Sequence, residues 1–283
     1  MTILVFGKTG QVATELRKHA DVVALGRSDA DLSVPDACAA AIRARAPRAV
    51  INAAAHTAVD RAEDEEALAH LINAEAPAAM ARACAALDIP FVHISTDYVF
   101  SGIGPAASAP GDAPGPLNAY GRTKLLGEEA VRKAGGRYAI LRTSWVFSSH
   151  GSNFVKTILR LSETRDVLDV VDDQIGGPTP ASAIADACLA IAGQLATDGA
   201  VSGTYHLSGT PDVSWYEFAS EILSRARRAP ALRPIPARAY PTVAPRPQNS
   251  RLDCTETEAV FGLARPDWRA ALDDVMDELE KVR

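Results

Sequence analysis

The amino terminus constrains the fold more than any other part of the chain. Thr2-Ile-Leu-Val-Phe6 is apolar and β-branched, Gly7 ends it, and Gly7-Lys-Thr-Gly10-Gln-Val-Ala13 leads into Thr14-Glu-Leu-Arg-Lys18 with helical spacing. A strand, a glycine turn and a helix in direct succession open a βαβ unit, so a parallel sheet is expected from the first residues. The spacing is GxxGxxA. Gly7 permits the tight turn, Gly10 lets another backbone or a ligand approach, and Ala13 is small enough to pack the helix on its strand. A helix amino terminus also offers N–H groups and a positive dipole end, a setting for a pyrophosphate, so Gly7, Thr9, Gly10, Gln11 and Val12 are candidate dinucleotide contacts.

Further strands follow at intervals suited to an α/β protein. Val22-Val-Ala-Leu25 ends at Gly26-Arg27-Ser28, where an acidic residue would otherwise accept the hydroxyls of an NAD ribose. Arg27 and Ser28 suit a 2'-phosphate instead, which favours NADPH and leaves NADH as the second choice. Asp31 and Leu32 begin a loop placed to border the adenine, and Ser33 is expected to cap a helix that carries Pro35 and runs to Arg45. Ala49-Val-Ile-Asn52 is a third strand whose exit, Ala53, Ala54 and Ala55, leaves room for a ligand. Residues 61 to 87 read as two helical segments, the second opened by Asn73.

A fourth strand, Pro90 to Ser95, delivers Thr96-Asp-Tyr-Val-Phe100 to the same edge. The Gly- and Pro-rich stretch 101 to 116 is long enough to fold over that edge and bring Thr96 beside Tyr120. Tyr120 and Lys124 stand one turn apart on a predicted helix, so an ammonium can favour the phenolate. Thr96, Tyr120 and Lys124 are therefore the catalytic candidates, a hydroxyl, a phenol and a cation beside a dinucleotide turn.

The strings FGKTGQV (6 to 12), NAAAHTAVDRAE (52 to 63), STDYVF (95 to 100), YGRTKLLGE (120 to 128), RTSWVF (142 to 147), NFVKTILRL (153 to 161), VVDDQIGGPT (170 to 179), SWYEFA (214 to 219) and RPQNSRLD (246 to 253) span almost the whole chain. Together they resemble the extended short-chain dehydrogenase/reductases and, within them, the dTDP-4-dehydrorhamnose reductase family. The resemblance implies reduction of the C4 keto group of dTDP-4-dehydro-β-L-rhamnose by NADPH. It implies Tyr120 as the acid, Thr96 as the polarising hydroxyl, and Lys124 as the group that lowers the tyrosine pKa and binds the nicotinamide ribose. Thr57, Val59, Thr96, Tyr98 and Trp145 match positions near the sugar. Asn153, Arg246, Asn249 and Arg251 sit in strings suited to a nucleotide diphosphate. Relatives that bind Mg2+ use glutamates at a dimer contact. Glu15 matches one, but Ser182 stands where those relatives carry another, so no metal site and a monomer or weak homodimer are expected. A sister reductase or epimerase acting on another nucleotide sugar, and a non-catalytic NADP-binding regulatory subunit, are the alternative readings.

Beyond Tyr138-Ala-Ile-Leu-Arg142 the pattern becomes less regular: helices at 152 to 161, 181 to 195 and 214 to 228, short strands at 167 to 171 and 205 to 207, a proline-rich stretch over 230 to 247, and closing helices at 255 to 262 and 267 to 281. The expected architecture is α/β: a Rossmann-type doubly wound parallel sheet over residues 1–146 and a smaller, partly interleaved α/β substrate domain over 147–283, with 165–180 returning to the first. A net charge of −6 gives no electrostatic case for nucleic acid or an anionic membrane. With no apolar run of membrane length and no leader-like start, a cytoplasmic protein is expected. Cys38, Cys84, Cys188 and Cys254 lie apart and read as small core residues, and the histidines form no zinc-ligand pattern.

Overall fold

In the computed structural model, which describes residues 2–226 and 230–281, six strands align in parallel. They are β1 (Ile3–Phe6), β2 (Val22–Leu25), β3 (Ala49–Asn52), β4 (Phe91–Thr96), β5 (Tyr138–Thr143) and β6 (Gly203–His206). Their order is β2-β1-β3-β4-β5-β6, so the winding reverses between β1 and β3. Parallel neighbours need crossovers, and helices supply them on both faces. Alternation within β1 shows the division: Leu4 and Phe6 point into one core with Ile42, Met80, Phe91 and Val131. Ile3 and Val5 point into the other with Leu16, Ile51, Leu141, Ile184 and Cys188.

The helices that carry these residues are α1 (Gln11–Leu16), α2 (Pro35–Arg45), α3 (Ala76–Ala86), α4 (Ala119–Ala134), α5 (Phe154–Leu161), α6 (Ala181–Thr197), α7 (Trp215–Arg225) and α8 (Trp268–Lys281). The first core lies under α2, α3 and α4, and the second under α1 and α6. All four cysteines are buried thiols in these cores or in the small cluster around Leu252. No helix among the described residues is long and apolar enough to cross a membrane.

A third core belongs to the carboxyl-terminal lobe. Phe147, Val155, Leu159, Leu168, Val170, Phe218, Ile222, Trp268 and Leu272 come together between α5, α7 and α8. Here the structure corrects the expected boundaries. Val167–Val171 does not return to the first sheet; it pairs in parallel with Ala231–Ile235 as a two-stranded ribbon. Its alternate residues Leu168 and Val170 are buried in the third core while the others face out, which fits a ribbon covered on one side. The segment that does return is Ala181 to His206, which supplies α6 and β6. The proline-rich stretch likewise holds a strand, Pro234 being tolerated because the ribbon edge needs no donor there.

Two other expectations differ locally. Ser33 caps nothing: the cap position of α2 is Val34, and the Ser33 amide and hydroxyl donate to Asp31. Asn73 does not open a helix. It sits in one π turn, Leu71–Glu75, between Glu66–His70 and α3, and its buried carboxamide accepts from the His56 amide and donates to the His56 carbonyl and Thr123 Oγ1. Of the expected helix 214 to 228, Trp215–Arg225 is helical and Arg228 lies outside the described residues.

A buried charge cluster locks α4 to the sheet. Glu128, fully enclosed, accepts from Ser95 Oγ at 2.6 Å on β4 and from Arg142 on β5 at 2.9 and 2.6 Å, and Arg132 adds a bond of 2.6 Å from the next turn. Removing one partner of such a pair leaves an uncompensated buried charge. Glu128→Gln is expected to cost about 3 kcal/mol or more of folding stability, to be measured as a lowered urea midpoint at unchanged m-value.

Candidate active site

At the switch between β1 and β3, Gly7 has φ of +114°, and a Cβ there would lie 3.2 Å from the Ala53 carbonyl carbon and oxygen. Only glycine lets the two strand exits approach so closely. Lys8, Thr9 and Gly10 are exposed at this mouth, Val12 is buried in the first turn of α1, and Gln11 turns back into the protein. Gln11 Oε1 accepts from Ser148 Oγ and Asn153 Nδ2, both at 2.9 Å. Arg27, with its side chain 74% exposed, bonds Asp31 Oδ2 at 3.2 Å. The Asp31 carboxyl is held below its ordinary range by the Ser33 amide first, then by the Ser33 hydroxyl and Arg27. Leu32 packs against the first core. The glycine cradle, the exposed guanidinium and the small Ala53–Ala55 exit fit a phosphorylated dinucleotide.

The edge of β4 is built around Thr96. Its Oγ1 accepts from the Tyr98 amide at 3.2 Å and donates to Asp97 Oδ1 at 3.1 Å, which fixes the single helical turn Asp97–Val99. Asn118 caps α4 by accepting from the Gly121 amide at 2.8 Å, and its Nδ2 donates to the Pro245 carbonyl at 2.8 Å. Gly121 then lies so close to β4 that a Cβ would overlap the Tyr98 carbonyl oxygen. That approach brings Tyr120 against Tyr98, ring centroids 5.5 Å apart and edge on, and leaves the Thr96 hydroxyl near enough to act on the phenol. The 101 to 116 stretch folds over the edge as expected.

Lys124 is buried, and the position of its Nζ is fixed by the Ile94 carbonyl at 2.7 Å and His93 Nε2 at 3.2 Å. One expectation is corrected here. The Tyr120 phenol is not lowered: burial pushes it up to about 12, with the Thr96 hydrogen bond opposing and the Asp97 charge adding. Burial lowers Lys124 to about 8, against the pull of Glu128. Asp97 is fully enclosed, and burial raises its carboxyl to about 6 against hydrogen bonds from Ser250 and Thr96. Sequence reasoning passed over Asp97 and His93. A polar residue within the otherwise apolar Phe91-Val-His-Ile94 was the available signal.

The sugar-side candidates divide. Thr57 is exposed on the loop leaving β3, and Val59, half-buried, begins the short helix Val59–Asp64 that follows it. Arg246 reaches that helix, pairing with Asp60 at 3.1 and 2.8 Å, and its charge bears on Tyr98. Asn249 Nδ2 donates to the Gly104 and Ala106 carbonyls at 2.8 and 2.6 Å, and Arg251 donates to Asn249 Oδ1 at 3.2 Å. Asn153 does not join this group. It caps α5 and bonds Gln11, on the dinucleotide side. Trp145, at φ +49°, stacks on Trp215 with centroids 3.5 Å apart. Glu15 is paired with Lys18 at 2.7 Å and His150 at 3.1 Å, and Ser182 lines the same surface cleft. Among the described residues no group of three or more His, Cys, Asp or Glu is placed to hold a metal ion.

A glycine cradle at the switch point and a hydroxyl, phenol and lysine on the neighbouring strand and helix define the layout of a dinucleotide-binding α/β protein with a carbonyl-reducing edge. The family model described as the RmlD substrate binding domain matches residues 1–281. The chain is similar to the dTDP-4-dehydrorhamnose reductase of Escherichia coli K12, 42% identical over 99% of this chain and 98% of that one. It is also similar to two crystal structures of dTDP-4-dehydrorhamnose reductases. One, from Clostridium acetobutylicum, has TM-score 0.93 and 35% identity over 99% of this chain and 100% of that one. The other, from Bacillus anthracis in complex with NADP, has TM-score 0.90 and 32% identity over 98% and 100%. The chain belongs to the dTDP-4-dehydrorhamnose reductase family.

Gly121→Ala is expected to push the start of α4 off the Tyr98 carbonyl, lowering stability by about 1–3 kcal/mol and moving Tyr120 out of register with Thr96. Thermal unfolding together with turnover of the folded variant checks this; unchanged turnover would show that the approach is not needed.

Proposed function

We propose that this protein reduces the C4 keto group of dTDP-4-dehydro-β-L-rhamnose to dTDP-L-rhamnose with NADPH, as a cytoplasmic short-chain dehydrogenase/reductase that is monomeric or weakly dimeric. The observation that carries the reading is the placement of the Tyr120 phenol at the Thr96–Tyr98 edge, packed edge on against Tyr98, one helical turn from buried Lys124. NADPH, when bound, supplies hydride to the carbonyl carbon. The dinucleotide is assigned to Gly7, Thr9, Gly10, Gln11 and Val12 at the pyrophosphate, to Arg27 at the 2'-phosphate, to Asp31 and Leu32 beside the adenine, and to Ala53–Ala55, Tyr120 and Lys124 at the nicotinamide end.

Negative charge then develops on the carbonyl oxygen. Tyr120 donates its proton to that oxygen, and Thr96 holds the oxygen by a second hydrogen bond. A phenol held near 12 is protonated throughout the neutral range, so Tyr120 is loaded as an acid before the reaction begins. Thr57, Val59, Tyr98 and Trp145 are assigned to the sugar. Arg246, Asn249 and Arg251 are assigned to the nucleotide diphosphate, with the Arg246 guanidinium exchanging part of its Asp60 pairing for phosphate. Asn153 supports the dinucleotide end instead, through Gln11.

Tyr120→Phe is expected to reduce NADPH oxidation with dTDP-4-dehydro-β-L-rhamnose by about 10²- to 10⁴-fold while leaving NADPH binding nearly unchanged. Near-normal turnover would remove the proton-donor assignment. Arg27→Ala is expected to lower the preference for NADPH over NADH by about tenfold or more, read as the ratio of kcat/KM values; an unchanged ratio would place the 2'-phosphate elsewhere.

A further inference from the structure

Behind Lys124 lies a buried polar chain whose hydrogen-bond directions can be worked out from one end. Asn52 Oδ1 accepts from the Ala54 amide at 3.2 Å, which makes Nδ2 the atom 3.1 Å from His93 Nδ1. An amide nitrogen only donates, so His93 Nδ1 must accept, and a neutral imidazole then carries its hydrogen on Nε2. Nε2 in turn faces Lys124 Nζ at 3.2 Å, and Nζ donates to the Ile94 carbonyl at 2.7 Å. An ammonium has no lone pair, so two donors would confront each other inside the protein. An imidazolium would be worse, with a hydrogen facing each neighbour. Every group is satisfied when Nζ is an amine that accepts from Nε2–H, and both Asn52 and His93 are too enclosed for water to mediate freely.

We propose that Asn52 and His93 are positioning residues whose hydrogen-bond directions follow the charge on Lys124 and tie its protonation to the Ala54 backbone contact where β3 leaves the sheet. The inference rests on the reading of Lys124 as part of the working site. Burial acts in the same direction on both groups, and it places His93 well below its ordinary value with the Lys124 charge adding to the effect. The charged group that opposes it at Lys124 is Glu128, one turn along the same helix, itself engaged by Arg142, Arg132 and Ser95. Tyr120, one turn the other way, is neutral in this range.

Uptake of a proton by Lys124 then has a defined outcome and a defined cost. Nζ gains one hydrogen, the hydrogen of neutral His93 changes from Nε2 to Nδ1, and the Asn52 carboxamide turns so that Oδ1 accepts from Nδ1–H. One proton enters, and only N–H bonds are made and broken. The Ala54 amide loses its acceptor. Because Ala54 belongs to the exit assigned to the dinucleotide, the charge on Lys124 and the conformation of that exit are coupled in both directions.

The test is the side-chain ¹⁵N spectrum of His93 in the full chain, assigned by its loss in His93→Phe and titrated from about pH 6 to 10. The expected result is the Nε2–H tautomer at high pH, giving way to the Nδ1–H tautomer with a midpoint near 8, where Lys124 is expected to gain its proton, and no imidazolium above pH 6. The Nδ1–H tautomer at every pH, or an imidazolium at pH 7, would overturn the proposal. Asn52→Asp supplies a carboxylate that accepts from Nδ1–H while still accepting from Ala54, so it should hold the Nδ1–H tautomer across the whole range; an unchanged titration in a folded variant would also overturn it. If Asn52→Asp does not fold, the titration of the unmodified chain decides alone. Lys124→Met separates the two readings: turnover retained by that variant would remove Lys124 from the working site and leave the tautomer result standing.

Discussion

The ion pair between Glu128 and Arg142 is the contact on which the rest of the site depends. Tyr120, Lys124, Glu128 and Arg132 recur at four-residue intervals and so share one face of α4, turned toward β4 and β5. The lower half of that stripe is structural: Glu128 gathers Ser95, Arg142 and Arg132 into a cluster with no exposed carboxylate oxygen left to water. Arg142 then extends the cluster outward, donating to the Pro110 carbonyl at 3.1 Å and lying over the Phe100 ring. One buried charge pair therefore sets the depth of the helix and the seat of the 101 to 116 stretch together. Such pairs gain little net stability over apolar packing, but they tolerate no slippage, because any displacement leaves a buried charge without its partner.

The upper half of the stripe inherits that precision. With α4 seated by Glu128, Gly121 can lie on the Tyr98 carbonyl, and the phenol meets the Thr96 hydroxyl without any loop being asked to hold it. Catalytic groups on a strand end and a helix start are placed more rigidly than groups on loops. Arg246 with Asp60 and Asn249 with Gly104 and Ala106 are instead contacts between short or irregular segments of the chain.

Periodicity and glycine chemistry made the first half of the chain readable. The strand, turn and helix at the amino terminus, the five leading strands and the Tyr120–Lys124 face all follow from local pattern, because each depends on near neighbours in sequence. What escaped depended on partners far away. Val167–Val171 alternates like any half-covered strand, and nothing in it says that its partner is Ala231–Ile235 and not β5. Asn73 has the composition of a cap but is held by His56 and Thr123, which sequence separates widely. Asn153 shares its residue type with Asn249, yet Gln11 draws it to the opposite side of the site. The phenol was read as lowered by its lysine, because spacing shows the neighbouring charge and hides the burial; in the folded protein desolvation is the larger effect.

The same competition explains why the carboxyl-terminal lobe must reach back across the sheet edge. Asn118, which begins α4, donates to the Pro245 carbonyl, and the Ser108 amide donates to the Arg251 carbonyl, so the 245 to 253 segment fastens both α4 and the stretch that covers it. Tyr120, Asp97 and Lys124 are enclosed at this edge, and burial raises the phenol and the carboxyl and lowers the amine. The 245 to 253 segment, by fastening α4 and the stretch over it, is thus one of the parts that limit how much water this edge retains.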